Sequence, residues 1–255
     1  NTLSNSCKQS LLSQASWINK RIEWHILGNH LFANAKALVF VGLFFYNEQS
    51  KIWLKKGLKI INDELDEQIL DDGGNFELSP MYHAIFLEDL LDLINISKVY
   101  PQIIQEVQIN KWIKISKKMI GWLETMTHPD GDISFFNDAA LEIAPKLNEL
   151  KEYTQRLGLD YNSTKFNKVT HLSSSGYIRL SSNNVAALLD VARIGPDYQP
   201  GHAHADTLSF ELSLFGQRVL VNGGTSEYGI SSVRHHERST KAHNTVVVDN
   251  QNSSE

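Results

Sequence analysis

Gly201-His202-Ala203-His204-Ala205-Asp206 runs directly into Thr207-Leu208-Ser209-Phe210-Glu211-Leu212-Ser213-Leu214. The second stretch alternates polar and apolar residues, the pattern of a β-strand with one buried face. If the strand starts at residue 202, then His202, His204 and Asp206 point to one side. Two imidazoles and a carboxylate at a strand mouth suit proton transfer or metal ligation. A hydrogen-bonded polar cluster at a strand end accounts for the same residues.

The strand pattern extends to both sides of this stretch. Residues 176–180, 185–191, 208–214, 218–222 and 244–249 are short strand candidates, separated by turn-forming runs such as Ser181-Ser182-Asn183-Asn184 and Phe215-Gly216-Gln217. A series of this kind predicts an antiparallel β-sandwich over 176–255. Residues 159–175 are rich in Ser, Thr and Asn and read as a linker. From residue 1 to 158 the apolar spacing is helical. Helices are expected over 11–26, 30–46 (nearly all apolar, hence buried on most sides), 49–69, from Pro80 onward after Ser79 as N-cap, over 111–126, and over 139–157 with a break near Pro145 and a stop at Gly158. Helices in series followed by strands make an α+β multidomain chain.

Composition narrows the function classes. The 255 residues are 42% hydrophobic and 21% charged, as in a globular protein with a sizeable core. A net charge of −5 argues against nucleic acid and anionic membranes as partners. Cys7 is the single cysteine, so an intrachain disulfide and a Cys-based zinc site are excluded. The apolar run 35–46 is too short to span a bilayer and contains Lys36. The chain starts at Asn1 without methionine or a signal peptide and ends in a polar run after strand-like 245–248. With five strands leaving sheet edges unpaired, it reads as a piece of a longer protein, and the sandwich as truncated.

Several further stretches carry polar groups. In Gly28-Asn29-His30-Leu31, Asn29 reads structurally as an N-cap. The Gly-rich run Asp71-Asp72-Gly73-Gly74-Asn75-Phe76-Glu77 feeds Leu78-Ser79-Pro80-Met81-Tyr82-His83, a helix start whose dipole favours anionic ligands. Phe135-Phe136-Asn137-Asp138 either closes a pocket or caps the next helix, and Ala242-His243-Asn244-Thr245 places a histidine at a strand start. His235 and His236 read as solvated. A glycoside hydrolase would need a pair of acids, for which Glu77 and Asp138 are the candidates.

In this order, Asn29-His30, Ser79-Pro80-Met81-Tyr82-His83, the 201–206 histidine stretch and Ala242-His243-Asn244-Thr245 resemble the motifs of the heparinase II/III-like polysaccharide lyases, over nearly the whole chain. The chain is similar to bacterial members of the surface-polysaccharide gene-cluster type. The resemblance implies an incomplete α/α toroid followed by an antiparallel β-sandwich, an acidic, uronate-containing polysaccharide as substrate, cleavage by β-elimination, and a periplasmic or secreted location. The alternative is a non-catalytic carbohydrate-binding or biosynthesis-associated protein on the same fold. The resemblance assigns carboxylate neutralisation to Asn29, general-acid and, for some stereochemistries, base action to Tyr82, and a second proton transfer to His202. It makes His30, His83, Glu77 and Tyr228 substrate-side residues. It implies a structural zinc on His204 and His243, with Asn222 standing where several members carry an aspartate. A metal-free cluster of His204, Asn222 and His243 is the other reading. Oligomeric state is not legible.

Overall fold

The computed structural model describes residues 3–161 and 166–254. Residues 162–165 of the expected linker lie outside them. The chain forms two compact units, 1–68 with 92–106, and 69–91 with 107–255. The division does not fall at residue 158, because the helix that starts at Pro80 contributes to both units.

The first unit is built on α1 (Asn5–Lys20), α2 (Gly28–Phe45) and α3 (Glu48–Gln68). The first helix starts and ends earlier than the apolar spacing suggests. Ser4 caps it by accepting from the Cys7 amide, and the chain leaves helical geometry at Arg21. Leu31, Phe32, Ala35, Leu38, Val39 and Leu43 are buried on several sides of α2, as its composition requires. Helix α3 crosses it closely: a Cβ on Gly42 would lie 2.7 Å from the Leu54 Cβ. Only glycine permits that approach. Asn29 is not the N-cap. Leu27 holds that position without a side-chain bond, and Asn29 and His30 lie in the first turn of α2. His30 Nδ1 is 3.5 Å from Glu23 Oε2, and Asn29 Oδ1 is buried without a hydrogen-bond partner among the described residues.

The second unit holds the start of α4 (Pro80–Val99), α5 (Glu106–Thr125) from Val107 onward, α6 (Leu147–Arg156) and all the strands. The expected helix 139–157 shrinks to α6, because proline disfavours helical geometry in the residue before it. Strands β1 (Val169–Leu172), β2 (Tyr177–Ser182), β3 (Val185–Asp190), β4 (Phe210–Leu214) and β5 (Gln217–Leu220) form one antiparallel sheet in sequence order. The β1 strand occupies part of the stretch read as linker. Pairing runs Leu172 with Tyr177, Ser182 with Val185, and Leu214 with Gln217, each a hairpin register. Residues 244–249 form no strand; only an isolated bridge joins Val248 to Gln251. A short helix absent from the sequence reading, α7 (Ser232–Arg238), is capped by Ser231, which accepts from the Arg234 amide.

Leu78, Trp122, Met126, Phe136, Leu172, Tyr177 and Leu188 form the core of this unit. Its two large polar rings spend their donors inside it: Trp122 Nε1 donates to Ser175 Oγ at 2.8 Å and the Tyr177 hydroxyl to the Leu78 carbonyl at 2.8 Å. Strand β4 does not bury its leucines. Glu211 and Ser213, with Ser209 just before the strand, are buried, whereas Phe210 is 37% exposed and Leu212 and Leu214 are only half-buried. The burial is made tolerable by partners. Glu211 Oε1 accepts from the Phe135 and Asn222 amides, and Oε2 from His128 Nε2 at 2.7 Å.

The β1–β2 turn depends on Gly176, which sits at φ +80° with the Ala192 backbone where a Cβ would go. Gly176→Ala is expected to lower unfolding free energy by roughly 3 kcal/mol, from left-handed strain plus overpacking. Equilibrium denaturant unfolding checks it, and an unchanged midpoint would contradict this account of the turn.

Candidate active site

The Gly-rich loop is anchored at both ends. Asp72 Oδ2 accepts from the Ser174 and Ser175 amides at 2.9 and 2.7 Å, tying the loop to the β1–β2 turn. Ser79 Oγ accepts from the Tyr82 amide at 3.2 Å, as expected of an N-cap, and donates to the Asp138 carbonyl. This fixes the first turn of α4 and hence Tyr82.

His83 follows in the same turn but faces inward. It is fully buried, stacked on Trp122 at 4.3 Å, and both ring nitrogens are engaged. Nδ1 accepts from the Asn75 amide and Nε2 donates to the Met119 carbonyl. No atom of His83 is left for a sugar, so the expected substrate contact becomes a brace for the loop. Burial pushes its pKa down to about 4.

The 201–206 stretch is not a strand. It is an irregular loop, and β4 begins only at Phe210. Its three polar side chains therefore go to three different places. His202 stacks on Tyr82, ring centroids 3.9 Å apart and planes within 10°. Its Nδ1 pairs with Glu77. Glu77 is 4% exposed and lies behind the imidazole, so it orients His202 instead of reaching a sugar. A carboxylate can only accept, so the shared hydrogen sits on Nδ1, and it is the neutral form of the ring that carries a lone pair on Nε2. The Tyr82 hydroxyl is 2.9 Å from that of Tyr228, which is mostly exposed. Burial first, then the bond to Tyr228, raises the Tyr82 phenol well above its ordinary value. Tyr82 thus stays protonated, which fits an acid. Nothing around it lowers its pKa as base action would need. Tyr82, His202, Glu77 and Tyr228 form one cluster. Asn29 and His30 belong to the first unit.

His204 turns the other way, into a buried network. Its Nε2 donates to Asp138 Oδ1 at 2.8 Å, and its Nδ1 lies 3.1 Å from His243 Nε2. Asp138 also accepts from both terminal nitrogens of Arg234 and from Thr225 Oγ1 at 2.8 Å. Burial alone would push the Asp138 carboxyl up; the bonds from His204, Arg234 and Thr225 outweigh it and hold it below the usual range. A fully buried Asp138 committed to Arg234 is no hydrolase acid. Asp206 Oδ2 accepts from the Asn137 amide at 3.2 Å. Sequence reasoning missed Arg234, whose helix carried no signal beyond Ser231 as a cap. His235 and His236 are exposed as read.

Do these residues fit a zinc ion? His243 Nδ1 donates to the Ser239 carbonyl at 2.8 Å, so the two facing nitrogens of His204 and His243 both present lone pairs. Fixing of the outer nitrogens is what metal-ligating imidazoles show. The third donor is missing. Asn222 offers a neutral amide whose Oδ1 already accepts from the Asn244 amide at 3.0 Å. Among the described residues no group of three or more His, Cys, Asp or Glu converges. Two imidazoles do not complete a four-coordinate structural zinc site.

Residues 6–162 match the model described as Heparinase II/III N-terminus, and 165–255 the one described as Heparinase II/III-like, C-terminal. The chain belongs to the heparinase II/III family. It is 27% identical over 244 residues to the heparin-sulfate lyase of Bacteroides stercoris, a match covering 88% of this chain and 36% of that protein. The heparin-sulfate lyase of Pedobacter heparinus is also 27% identical, over 251 residues with the same coverage. The crystal structure of heparinase III shares the fold, with a TM-score of 0.80 at 20% identity over 94% of this chain and 42% of that one. The helical region followed by an antiparallel sheet is therefore the family's architecture. The chain spans little more than a third of the length of the lyases it matches.

Two measurements test this family member's site. His83 has a folded pKa depressed below its unfolded value near 6.5, so its contribution to stability is complete above pH 6.5 and is lost as pH falls toward 4. The destabilisation caused by His83→Gln should shrink by about 3 kcal/mol over that window. A pH-independent difference between the two proteins would refute the assignment. Metal analysis after equilibration with zinc is expected to find less than one ion per chain, and Asn222→Asp to raise the content. A full equivalent in the unaltered protein would overturn the donor argument.

Proposed function

We propose that this chain carries the acid and base of a polysaccharide lyase that cleaves a uronate-containing, acidic polymer by β-elimination. The observation that carries it is the stacked Tyr82–His202 pair, with Glu77 behind the imidazole and Tyr228 on the phenol. Family membership and the named activity of the relatives support the lyase class.

Elimination needs three things. The C5 hydrogen must be removed, the C4–O bond must break, and the charge building on the carboxylate must be stabilised. His202 Nε2, oriented by Glu77, takes the C5 proton. Electrons from that bond form the C4–C5 double bond and expel the glycosidic oxygen, which receives the Tyr82 proton. Tyr228, hydrogen-bonded to Tyr82 and open to solvent, returns a proton to it. The family resemblance assigns neutralisation of the uronate carboxylate to Asn29, whose amide is a donor without a titratable group, and orientation of the sugar to His30. No step runs through a metal. A polysaccharide substrate also suits an enzyme acting in the periplasm or outside the cell.

Incubation with uronate polymers, heparan sulfate and alginate among them, is expected to release products with the far-ultraviolet absorbance of an unsaturated uronate. Tyr82→Phe and His202→Ala should each lower the rate at least about a hundredfold, with unfolding midpoints unchanged. Glu77→Gln should lower kcat by about tenfold or more while leaving KM nearly constant, because it disorders the base and not the substrate. Folded protein that yields no unsaturated product from any uronate polymer, yet still binds one, would replace this reading with the non-catalytic one.

A further inference from the structure

Arg179 is a buried cation with no counter-ion among the described residues. Its side chain leaves β2 and the residue is 6% exposed. Nη1 donates to the Thr125 and Thr127 carbonyls at 2.9 and 2.7 Å, and Nε to Ser181 Oγ at 3.1 Å. The carbonyls lie at the end of α5, so part of the charge is met by the negative end of the helix dipole. Among the described residues no carboxylate pairs with it, and Nη2 makes no hydrogen bond. Burying an unpaired charge is costly, and proteins seldom leave one without a partner.

Arg179 lines a depression of about 520 Å³. Two hairpin turns supply its rim, Asn183-Asn184 between β2 and β3 and Phe215-Gly216 between β4 and β5. None of the described lining residues is acidic. Phe166 covers one face of the guanidinium, 4.3 Å from ring centroid to Cζ. Phe215 is the second unexplained feature. It holds φ +52°, a left-handed geometry that two-residue hairpins normally give to Asn or Gly. The residue is 77% exposed, so packing returns little for that strain. An aromatic ring held in an unfavourable conformation and presented to solvent beside an unpaired guanidinium marks a ligand surface.

We propose that Arg179, Phe166 and Phe215 form a second saccharide site, which takes an acidic sugar unit of a polymer bound elsewhere on the same chain. Nη2, the nitrogen not engaged by Thr125, Thr127 or Ser181, donates to the carboxylate or sulfate of that unit, and the aromatic rings pack against its C–H face. Asn183 and Asn184 supply hydrogen bonds to its hydroxyls. The site shares no residue with the Tyr82–His202 cluster. It rests on the lyase reading only for the sugar; the need for an anion comes from Arg179 itself.

The test uses the full chain carrying Tyr82→Phe, so that cutting of the probe is slowed at least about a hundredfold. Short end-labelled heparin and polygalacturonate oligosaccharides are titrated by fluorescence anisotropy, with inorganic sulfate as a third probe. Phe215→Ala and Arg179→Lys are each expected to weaken oligosaccharide binding about tenfold, with Phe215→Ala unfolding at a nearly unchanged denaturant concentration because the replaced ring is exposed. A preference for heparin over polygalacturonate assigns the anion as sulfate, and the reverse as carboxylate; either outcome with the Phe215 dependence supports the site. Oligosaccharide binding that is unaltered by Phe215→Ala, sulfate binding alone, or no binding of any probe overturns it. Product formation by the unaltered chain is measured separately. If product forms while Phe215→Ala binds normally, this site fails and the lyase reading stands. If binding falls as expected and no product forms, the lyase reading fails and the site stands.

Discussion

The carboxylate of Asp138 is the constraint on which the site hangs. It is fully buried and accepts from Arg234, His204 and Thr225. The same residue's backbone carbonyl accepts from Ser79, which caps the helix carrying Tyr82, and its amide donates to the His202 carbonyl at 3.0 Å. Arg234 in turn lies 5.2 Å from the Tyr228 ring. One residue thus sets the positions of the acid, the base and the tyrosine beside the acid. Removing one partner of a buried ion pair strands the other charge, typically at 3–5 kcal/mol. The network is rigid because any departure exposes that cost.

A second buried carboxylate plays the same part for the sheet. Glu211 takes hydrogen bonds from two backbone amides and from His128, itself bonded to Ser213 Oγ at 2.7 Å. Its presence decides which face of β4 turns inward. The inner face of the sheet is correspondingly polar, with Arg179, Asp190, Glu211 and Ser213 buried beside Tyr177 and Leu188. Burial, together with the neighbouring charge of Asp206, pushes the Asp190 carboxyl up. The sheet therefore holds ionisable groups in a low-dielectric setting where their electrostatic effects are large.

The helices were legible because their signal is local. Apolar spacing over a dozen or more residues, Ser79 as a cap and Gly158 as a stop are properties of neighbouring residues. The first four strands of the reading were legible for the same reason, with turn residues marking their ends. The failures share a cause. Residues 244–249 look like a strand, but a strand needs a partner, and the neighbouring backbone leaves only one bridge. The 201–206 loop reads as alternation, yet Asp138, Asn137 and Glu77 draw its side chains apart. Those partners lie more than sixty residues away.

Composition, helical periodicity, turn chemistry and the order of the motifs are carried by residues close together in the chain. From them follow the helix-then-strand architecture, the resemblance to heparinase II/III proteins, and Tyr82 and His202 as the residues to watch. Only the tertiary structure decided that Glu77 stands behind His202, that His83 is a brace, that Asp138 and Arg234 form the anchor, and that Asn222 leaves the two facing histidines short of a third donor. These are questions of which distant group meets a buried charge. A side chain's desolvation has to be met by whatever the fold brings within hydrogen-bond reach, and no local pattern records that partner.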